Sequence, residues 1–178
     1  MSPDPALPTV DKSVDDLILN QAIVTAALEL LPDKLANLAI LPLQIRLVYQ
    51  IGKKHGQQLD ADQVKDLVAT LGIGVGAQAL EGVVRKTLGG LSGGLLGGLV
   101  GGAAGLAAGM AVTFGTTYAL GHAAEQYYAQ GRKLSVEDLK ALFARFQEEA
   151  KGLFPKVEER IREQARTLDL QKLLGSPR

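Results

Sequence analysis

The sequence predicts an all-α protein, a multi-helix bundle of about seven helices with a central glycine-zipper helix or helical hairpin. Apolar residues recur at helical spacing along much of the 178-residue chain, and no segment shows the alternation of a half-buried strand. The chain has no cysteine, which excludes disulfides, thiolate metal sites and cysteine nucleophiles. Nineteen basic and nineteen acidic side chains balance, so the global attraction to nucleic acid is missing.

The amino-terminal segment predicts a short lead-in followed by a largely apolar helix. Residues 1–10 contain three prolines and are predicted to be disordered. Ser13 and Asp16 have the spacing of a helix-capping start, and the apolar run after them continues to Leu31. A helix that is apolar around most of its circumference is buried in a bundle or in lipid. Its only polar stripe consists of Gln21, Thr25 and Glu29.

Three further helices are predicted before the glycine-rich region. The second covers residues 35–55 and contains Pro42, which removes one backbone donor and is expected to kink it. The third covers 61–71 and begins at Asp60, which has a glutamine three residues later as in a capping box. The fourth covers 76–88. All belong to one predicted helical domain, residues 11–134.

The segment 87–124 contains no Asp, Glu, Lys or Arg, and ten of its twelve glycines fall in two rows with a period of four residues. This spacing places them along one face of a helix, where missing side chains allow another helix to approach closely. Each interior glycine costs about 1 kcal/mol relative to alanine, so tight packing or lipid must offset the cost. The predicted helix-packing residues are Gly89, Gly93, Gly97, Gly101, Gly105 and Gly109.

Two interpretations of this uncharged segment stay open. Its length allows a hairpin of two short membrane spans, and the basic pairs at 85–86 and 132–133 would keep both ends in the cytoplasm. Alternatively, a glycine-rich hairpin packs inside a helical domain without lipid. No signal-peptide pattern opens the chain, so secretion by that route is not expected. We therefore expect the protein at the cytoplasmic membrane or its cytoplasmic face, or alternatively in the cytoplasm.

The carboxyl-terminal segment, residues 135–178, is predicted to form amphipathic helices. Ser135 and Asp138 indicate a capped start, and apolar residues then recur at helical spacing between charges. Pro155 is expected to break or kink this segment. The apolar positions are Leu139, Phe143, Phe146, Ala150, Leu153, Val157, Ile161, Ala165 and Leu168.

Three motifs resemble enzyme signatures without their structural context. Residues 90–94 match the GxSxG nucleophile elbow, but no strand precedes Ser92 and no acidic residue separates it from His122. The glycines at 74–79 lack the preceding strand of a dinucleotide fingerprint, and residues 82–87 lack the spacing of a phosphate loop. His55 is expected at a helix carboxyl end and His122 in the core. The sequence predicts no enzyme and no catalytic, cofactor-binding or metal-binding residue.

Two stretches, Leu38–Gly56 and Thr116–Gly131, resemble a bacterial family of unknown function typified by YcjF. The domain of that family is often fused to, or encoded beside, small GTPase domains. The resemblance covers roughly residues 15–135, and this sequence has no GTPase domain. It implies a membrane-associated helical module that serves a separate GTPase, and it transfers no catalytic residue. The residues in family-like positions are Pro42, Gln44, Ile51, Gly56, Tyr118, Gly121 and Tyr128.

These observations give two functional hypotheses. The first is a non-enzymatic, membrane-associated helical protein that self-associates through its glycine faces and serves a separate GTPase. The second is a soluble α-helical module that binds a GTPase or another protein through its carboxyl-terminal helices. The expected partners are a membrane, a GTPase and further copies of the chain, with no nucleic acid and no cofactor.

Overall fold

The computed structural model describes residues 12–31, 34–73 and 103–168. These residues form helices and connecting turns without any strand, which confirms the all-α fold class. The predicted helix over 76–88 and the three enzyme-like motifs lie outside the described residues. The helices are α1 (Lys12–Leu28), α2 (Lys34–Lys54), α3 (Ala61–Thr70), α4 (Ala103–Ala129) and α5 (Val136–Thr167).

Two of the three predicted helix caps are confirmed. The Asp60 side chain accepts a hydrogen bond from the Gln63 backbone N–H, and the Gln63 side chain accepts one from the Asp60 N–H. The Ser135 hydroxyl accepts a hydrogen bond from the Asp138 N–H at the start of α5. The prediction at Ser13 was wrong, because α1 already begins at Lys12 and Ser13 lies within its first turn.

Pro155 does not interrupt the carboxyl-terminal segment: of the two expected outcomes, a break or a kink, the break is wrong. α5 runs through it from Val136 to Thr167 as one helix. Pro155 lies on the exposed side of α5, where water can bond the carbonyl group left without its helical donor. Buried apolar residues on both sides of the proline, Ala150 and Val157, hold the helix against the core. Pro42 is likewise exposed within a continuous α2.

α4 is the central helix, and its neighbours can be placed by their contacts. α1 and α5 both run antiparallel to it, since contacts pair early residues of α4 with late residues of α1 and of α5. α2 runs parallel to α4, with Gln44 bonded to Thr117 and Gly52 beside Tyr128. α3 packs on the carboxyl-terminal end of α2. One main core contains buried residues from all five helices, among them Ile18, Leu47, Val64, Phe114 and Ile161.

A face of small residues on α4 packs against α1. Gly109, Thr113, Thr117 and Gly121 repeat every fourth residue, which places them along one side of the helix. A Cβ added at Gly121 would lie only 2.7 Å from Ile18 Cγ2, so the two backbones approach too closely for a larger residue. At Gly109 an added Cβ would make an ordinary contact with Glu29, 3.6 Å from Oε2.

The glycine row predicted from the sequence falls mostly outside the described residues. Gly89, Gly93, Gly97 and Gly101 lie there, and Gly105 is in the first turn of α4. The remaining member, Gly109, faces α1 in the same chain. Within the ranges that the structure describes, no helix is both long and apolar enough to cross a membrane.

Candidate functional site

Apart from Thr113, which donates a hydrogen bond to Glu29, the buried polar side chains of α4 in the described residues fall into two groups, and the first is held together by hydrogen bonds. Gln44 Nε2 on α2 donates to Thr117 Oγ1 at 3.0 Å. The hydroxyls of Thr25 and Thr117 are bonded at 2.9 Å, and Thr25 Oγ1 also lies 3.0 Å from the Gln21 carbonyl oxygen on its own helix. All three side chains are buried. This threonine–glutamine network fixes α1, α2 and α4 in register.

The other residues in family-like positions have structural roles. Gly56 has φ +71°, a conformation that favours glycine, and it ends the turn after α2. Tyr128 is buried next to Gly52, and burial raises the pKa of its hydroxyl to about 12. Gly121 contacts Ile18, as described above. The contacts of these residues therefore indicate roles in turns and helix packing rather than in chemistry.

The second polar group, the Asp15–His122–Glu125 cluster, is not hydrogen-bonded in the same way. His122 and Glu125 are three residues apart on α4, and Asp15 reaches them from the first half of α1. His122 Nδ1 lies 3.7 Å from Asp15 Oδ1 and 3.6 Å from Glu125 Oε2. Both distances exceed the 2.7–2.9 Å typical of a charge-assisted N–H···O bond. The nitrogen therefore faces two carboxylate oxygens at distances longer than direct hydrogen bonds.

Two oxygens of the cluster are buried without a partner. Asp15 Oδ1 and Glu125 Oε2 are inaccessible to solvent and accept no hydrogen bond from any described residue. The Glu125 residue is 4% exposed, whereas the Asp15 side chain is 42% exposed. Burying an unpaired carboxylate oxygen is costly, so this arrangement differs from ordinary core packing. Burial also raises the pKa of Asp15, an effect partly offset by His122.

Aromatic rings hold the imidazole in place. The His122 ring lies 4.4 Å from the Tyr118 ring and is stacked on Phe146 at 4.8 Å, measured between centroids. The Tyr118 hydroxyl donates to Glu149 Oε1 at 2.7 Å, which connects α4 to α5. Burial and this bond to a carboxylate both raise the pKa of Tyr118. The imidazole is therefore fixed between two helices, with Nδ1 directed at the carboxylates.

A surface cleft of about 300 Å³ gives access to the cluster. It lies between α1, α4 and α5 and contains both apolar walls and acidic groups. One imidazole nitrogen and two carboxylate oxygens, all within 4.8 Å of one another, are suitable ligands for a divalent metal ion. The cleft is lined by Asp15, Asp16, Leu19, Tyr118, His122, Glu125, Gln126, Phe146, Glu149 and Leu153.

The sequence-based view of the histidines was incomplete. His122 is buried, as expected, but it lies beside two carboxylates that the sequence analysis did not connect with it. The spacing of His122 and Glu125 on one helix was a usable signal, because residues three apart share a helix face. The contribution of Asp15 has no local signal, since it depends on how α1 packs on α4. His55 lies in the turn directly after α2, at the expected helix end.

The geometry thus defines a helical bundle with one unpaired polar cluster beside a cleft. Comparison with protein-family models, curated proteins and solved structures finds no match in any of the three. The functional argument therefore depends on the residues of this chain alone.

Proposed function

We propose that the protein is a non-enzymatic helical module that associates with a membrane surface through one end of its bundle. The observation that carries this proposal is the position of two exposed aliphatic side chains, Leu38 and Val112, which are 71% and 60% exposed. Gln44 and Thr117 are hydrogen-bonded to each other. Leu38 precedes Gln44 by about 9 Å along α2, and Val112 precedes Thr117 by about 7.5 Å along α4. The two helices are parallel, so both aliphatic residues lie towards the same end.

The same end also contains the start of α4, which follows the charge-free part of the sequence. α4 begins at Ala103, immediately after the uncharged residues 87–102. α4 has no Asp, Glu, Lys or Arg before Glu125. On the neighbouring α2, Pro42 is exposed. Exposed aliphatic side chains joined to an uncharged segment favour contact with an apolar phase over contact with water. We call Leu38, Pro42 and Val112 the apolar end.

The packing of α5 favours a membrane as the partner over a protein that docks on this helix. Its apolar face is packed on the core, with Leu139, Ala150, Val157 and Ile161 buried. A protein that approached α5 from outside would therefore meet its charged side. Service to a separate GTPase remains a prediction of the family resemblance, and self-association through the glycine rows remains a prediction of their spacing.

Vesicle binding tests the proposal. Because the contact is made by aliphatic groups and the formal net charge of the chain is zero, we expect binding to phosphatidylcholine vesicles that does not fall with added salt. Leu38→Glu and Val112→Glu are each expected to weaken partitioning about tenfold, as loss of one buried aliphatic side chain predicts. Co-sedimentation with the vesicles measures both effects.

A matched control comes from the opposite end of the bundle. Val136 at the start of α5 is also aliphatic and is 48% exposed. Val136→Glu should leave vesicle binding unchanged. Absence of binding, or equal losses for Val112→Glu and Val136→Glu, would contradict the proposal. Formation of discrete oligomers without vesicle binding would instead favour a second copy of the chain as the partner.

A further inference from the structure

We infer that Asp15, His122 and Glu125 form a binding site for a divalent transition-metal ion, with Zn²⁺ as the ion that fits the donors best. The inference is independent of membrane association, because the cluster lies at the other half of α4 from the apolar end. It rests on three observations: the donor set, the spacing of the donor atoms and the unpaired buried oxygens.

The donor set favours a transition metal over magnesium or calcium. Imidazole nitrogen with two carboxylates suits Zn²⁺ and similar ions, whereas Mg²⁺ and Ca²⁺ prefer six or more oxygen ligands. The three protein ligands come from two helices, with two on α4 and one on α1. A bound water from the cleft would complete a four-coordinate site, and the 42% exposure of the Asp15 side chain leaves a path for water and ion.

The donor spacing is close to that of a tetrahedral zinc site. Zn–N and Zn–O bonds of about 2.0–2.2 Å place neighbouring donors about 3.4 Å apart. The measured separations from His122 Nδ1 are 3.6 Å to Glu125 Oε2 and 3.7 Å to Asp15 Oδ1. The same separations are too long for direct hydrogen bonds. All three donor atoms lie within 4.8 Å of one another, so side-chain movements of up to about 1 Å would bring them to the ion.

The unpaired oxygens are the independent sign of a ligand. Glu125 is more than nine-tenths buried, and its Oε2 has no hydrogen-bond partner among the described residues although it faces His122. Asp15 Oδ1 is also buried and unpartnered, and it faces the same imidazole nitrogen, His122 Nδ1. Native proteins rarely leave buried carboxylate oxygens unsatisfied, and a cation between them would satisfy both. The stacking of His122 on Phe146 fixes the third donor.

Thermal unfolding of the full chain with Zn²⁺ is the first test. A ligand at 100 times its Kd raises the ratio of folded to unfolded protein about 100-fold. For a chain of this length that corresponds to an increase in Tm of about 5–10 °C. We expect this increase with Zn²⁺ and no comparable increase with Mg²⁺. Co²⁺ should give the intense visible absorption of a four-coordinate site, a signal that does not depend on stability.

Matched variants separate a site from general charge effects. Asp15→Asn and Glu125→Gln should each weaken Zn²⁺ binding by more than the 10–100-fold typical of losing a group that merely supports a metal ligand. Asp62→Asn removes the same charge from an exposed side chain on α3, outside the cleft, and should bind Zn²⁺ like the parent. Asp15 is partly exposed, so its variant is expected to fold even if a more buried one does not.

Three results would overturn the inference. The first is no Tm increase and no Co²⁺ absorption in the parent protein. The second is an equal response to Mg²⁺ and Zn²⁺, which would indicate non-specific binding. The third is loss of Zn²⁺ binding in Asp62→Asn as well as in Asp15→Asn. If Zn²⁺ has no effect while Asp15→Asn is strongly destabilised, the cluster is a direct ion pair between His122 and its carboxylates.

Discussion

Two groups of buried polar side chains lie about one turn apart on α4, yet they are built differently. Around Thr117, the bonds of the threonine–glutamine network are between 2.9 and 3.1 Å, and the partners come from α1 and α2. Around His122, the two carboxylate oxygens lie 3.6 and 3.7 Å from Nδ1 and neither has a hydrogen-bond partner among the described residues. A satisfied network stabilises one arrangement of helices, whereas an unsatisfied one indicates a missing ligand. The two regions should therefore respond oppositely to loss of their polar groups.

Both regions depend on the close approach of α1 to α4 at Gly121, where we expect the largest effect. Gly121→Ala would place a Cβ 2.7 Å from Ile18 Cγ2 and should lower the free energy of unfolding by about 3 kcal/mol. Gly152→Ala is the matched control, because Gly152 also lies in a helix but has nothing within 4 Å of an added Cβ. It should raise stability by about 0.5–1 kcal/mol. Urea unfolding measures both.

A double mutant tests whether the clash with Ile18 causes the loss. Ile18→Ala removes the two γ carbons nearest to the added Cβ. Combined with Gly121→Ala, it should destabilise less than the sum of the two single changes, with a coupling of about 1–2 kcal/mol. Simple additivity would mean that the glycine is needed for another reason.

Tyr128 shows the cost of burying a polar group that can ionise. Its pKa is raised from 10.0 to about 12, mainly by burial. The neutral phenol is favoured in the folded state, so this contribution is complete below pH 10 and is lost as the pH rises through 12. One pKa unit corresponds to about 1.36 kcal/mol, so the loss is on the order of 3 kcal/mol. Tyr128→Phe should lack this part of the pH dependence in urea unfolding between pH 9 and pH 12. An unchanged profile would contradict the assignment.

Breaking the threonine–glutamine network should cost slightly less. Thr117→Val keeps the shape of the side chain but leaves the buried Gln44 amide without its acceptor, a loss of about 2 kcal/mol. Thr116→Val changes the same atoms at a half-buried neighbouring position and should be nearly neutral. Adding Gln44→Leu to Thr117→Val should recover part of the loss, because both buried polar partners are then removed. Urea unfolding of the four proteins checks the series, and no recovery would show that the amide is not the group left unpaired.

The sequence predicted what depends on local chemistry. Asp60 and Ser135 start helices because their side chains accept hydrogen bonds from backbone groups three residues away. The uninterrupted course of α5 through Pro155 could not be predicted this way, because packing on both sides of the proline overcomes the loss of one backbone bond. The fold class was therefore predictable, and the continuity of one of its helices was not.

The candidate site shows the same limit more strongly. His122 and Glu125 share a helix face, so their proximity follows from a spacing of three residues. Asp15 joins them only because α1 is antiparallel to α4, with Ile18 pressed against Gly121. A sequence separation of more than one hundred residues gives no local signal for such a contact. The metal-ligating set was missed because one of its three members is defined by tertiary packing alone.

The smallest expected effect is also the one that distinguishes the two regions most clearly. In chelator, Glu125→Gln replaces a buried, unpaired carboxylate by a neutral amide of the same shape, so stability should stay the same or rise by up to about 1 kcal/mol. This is opposite in sign to Thr117→Val. With Zn²⁺ the parent protein should be more stable than Glu125→Gln, because only the parent keeps all three ligands. Glu148→Gln, at an exposed residue of α5, is the control and should stay within about 0.5 kcal/mol of the parent in both conditions. A loss of 2 kcal/mol or more for Glu125→Gln in chelator would mean that this carboxylate is already satisfied, and the contrast between the two regions would fail.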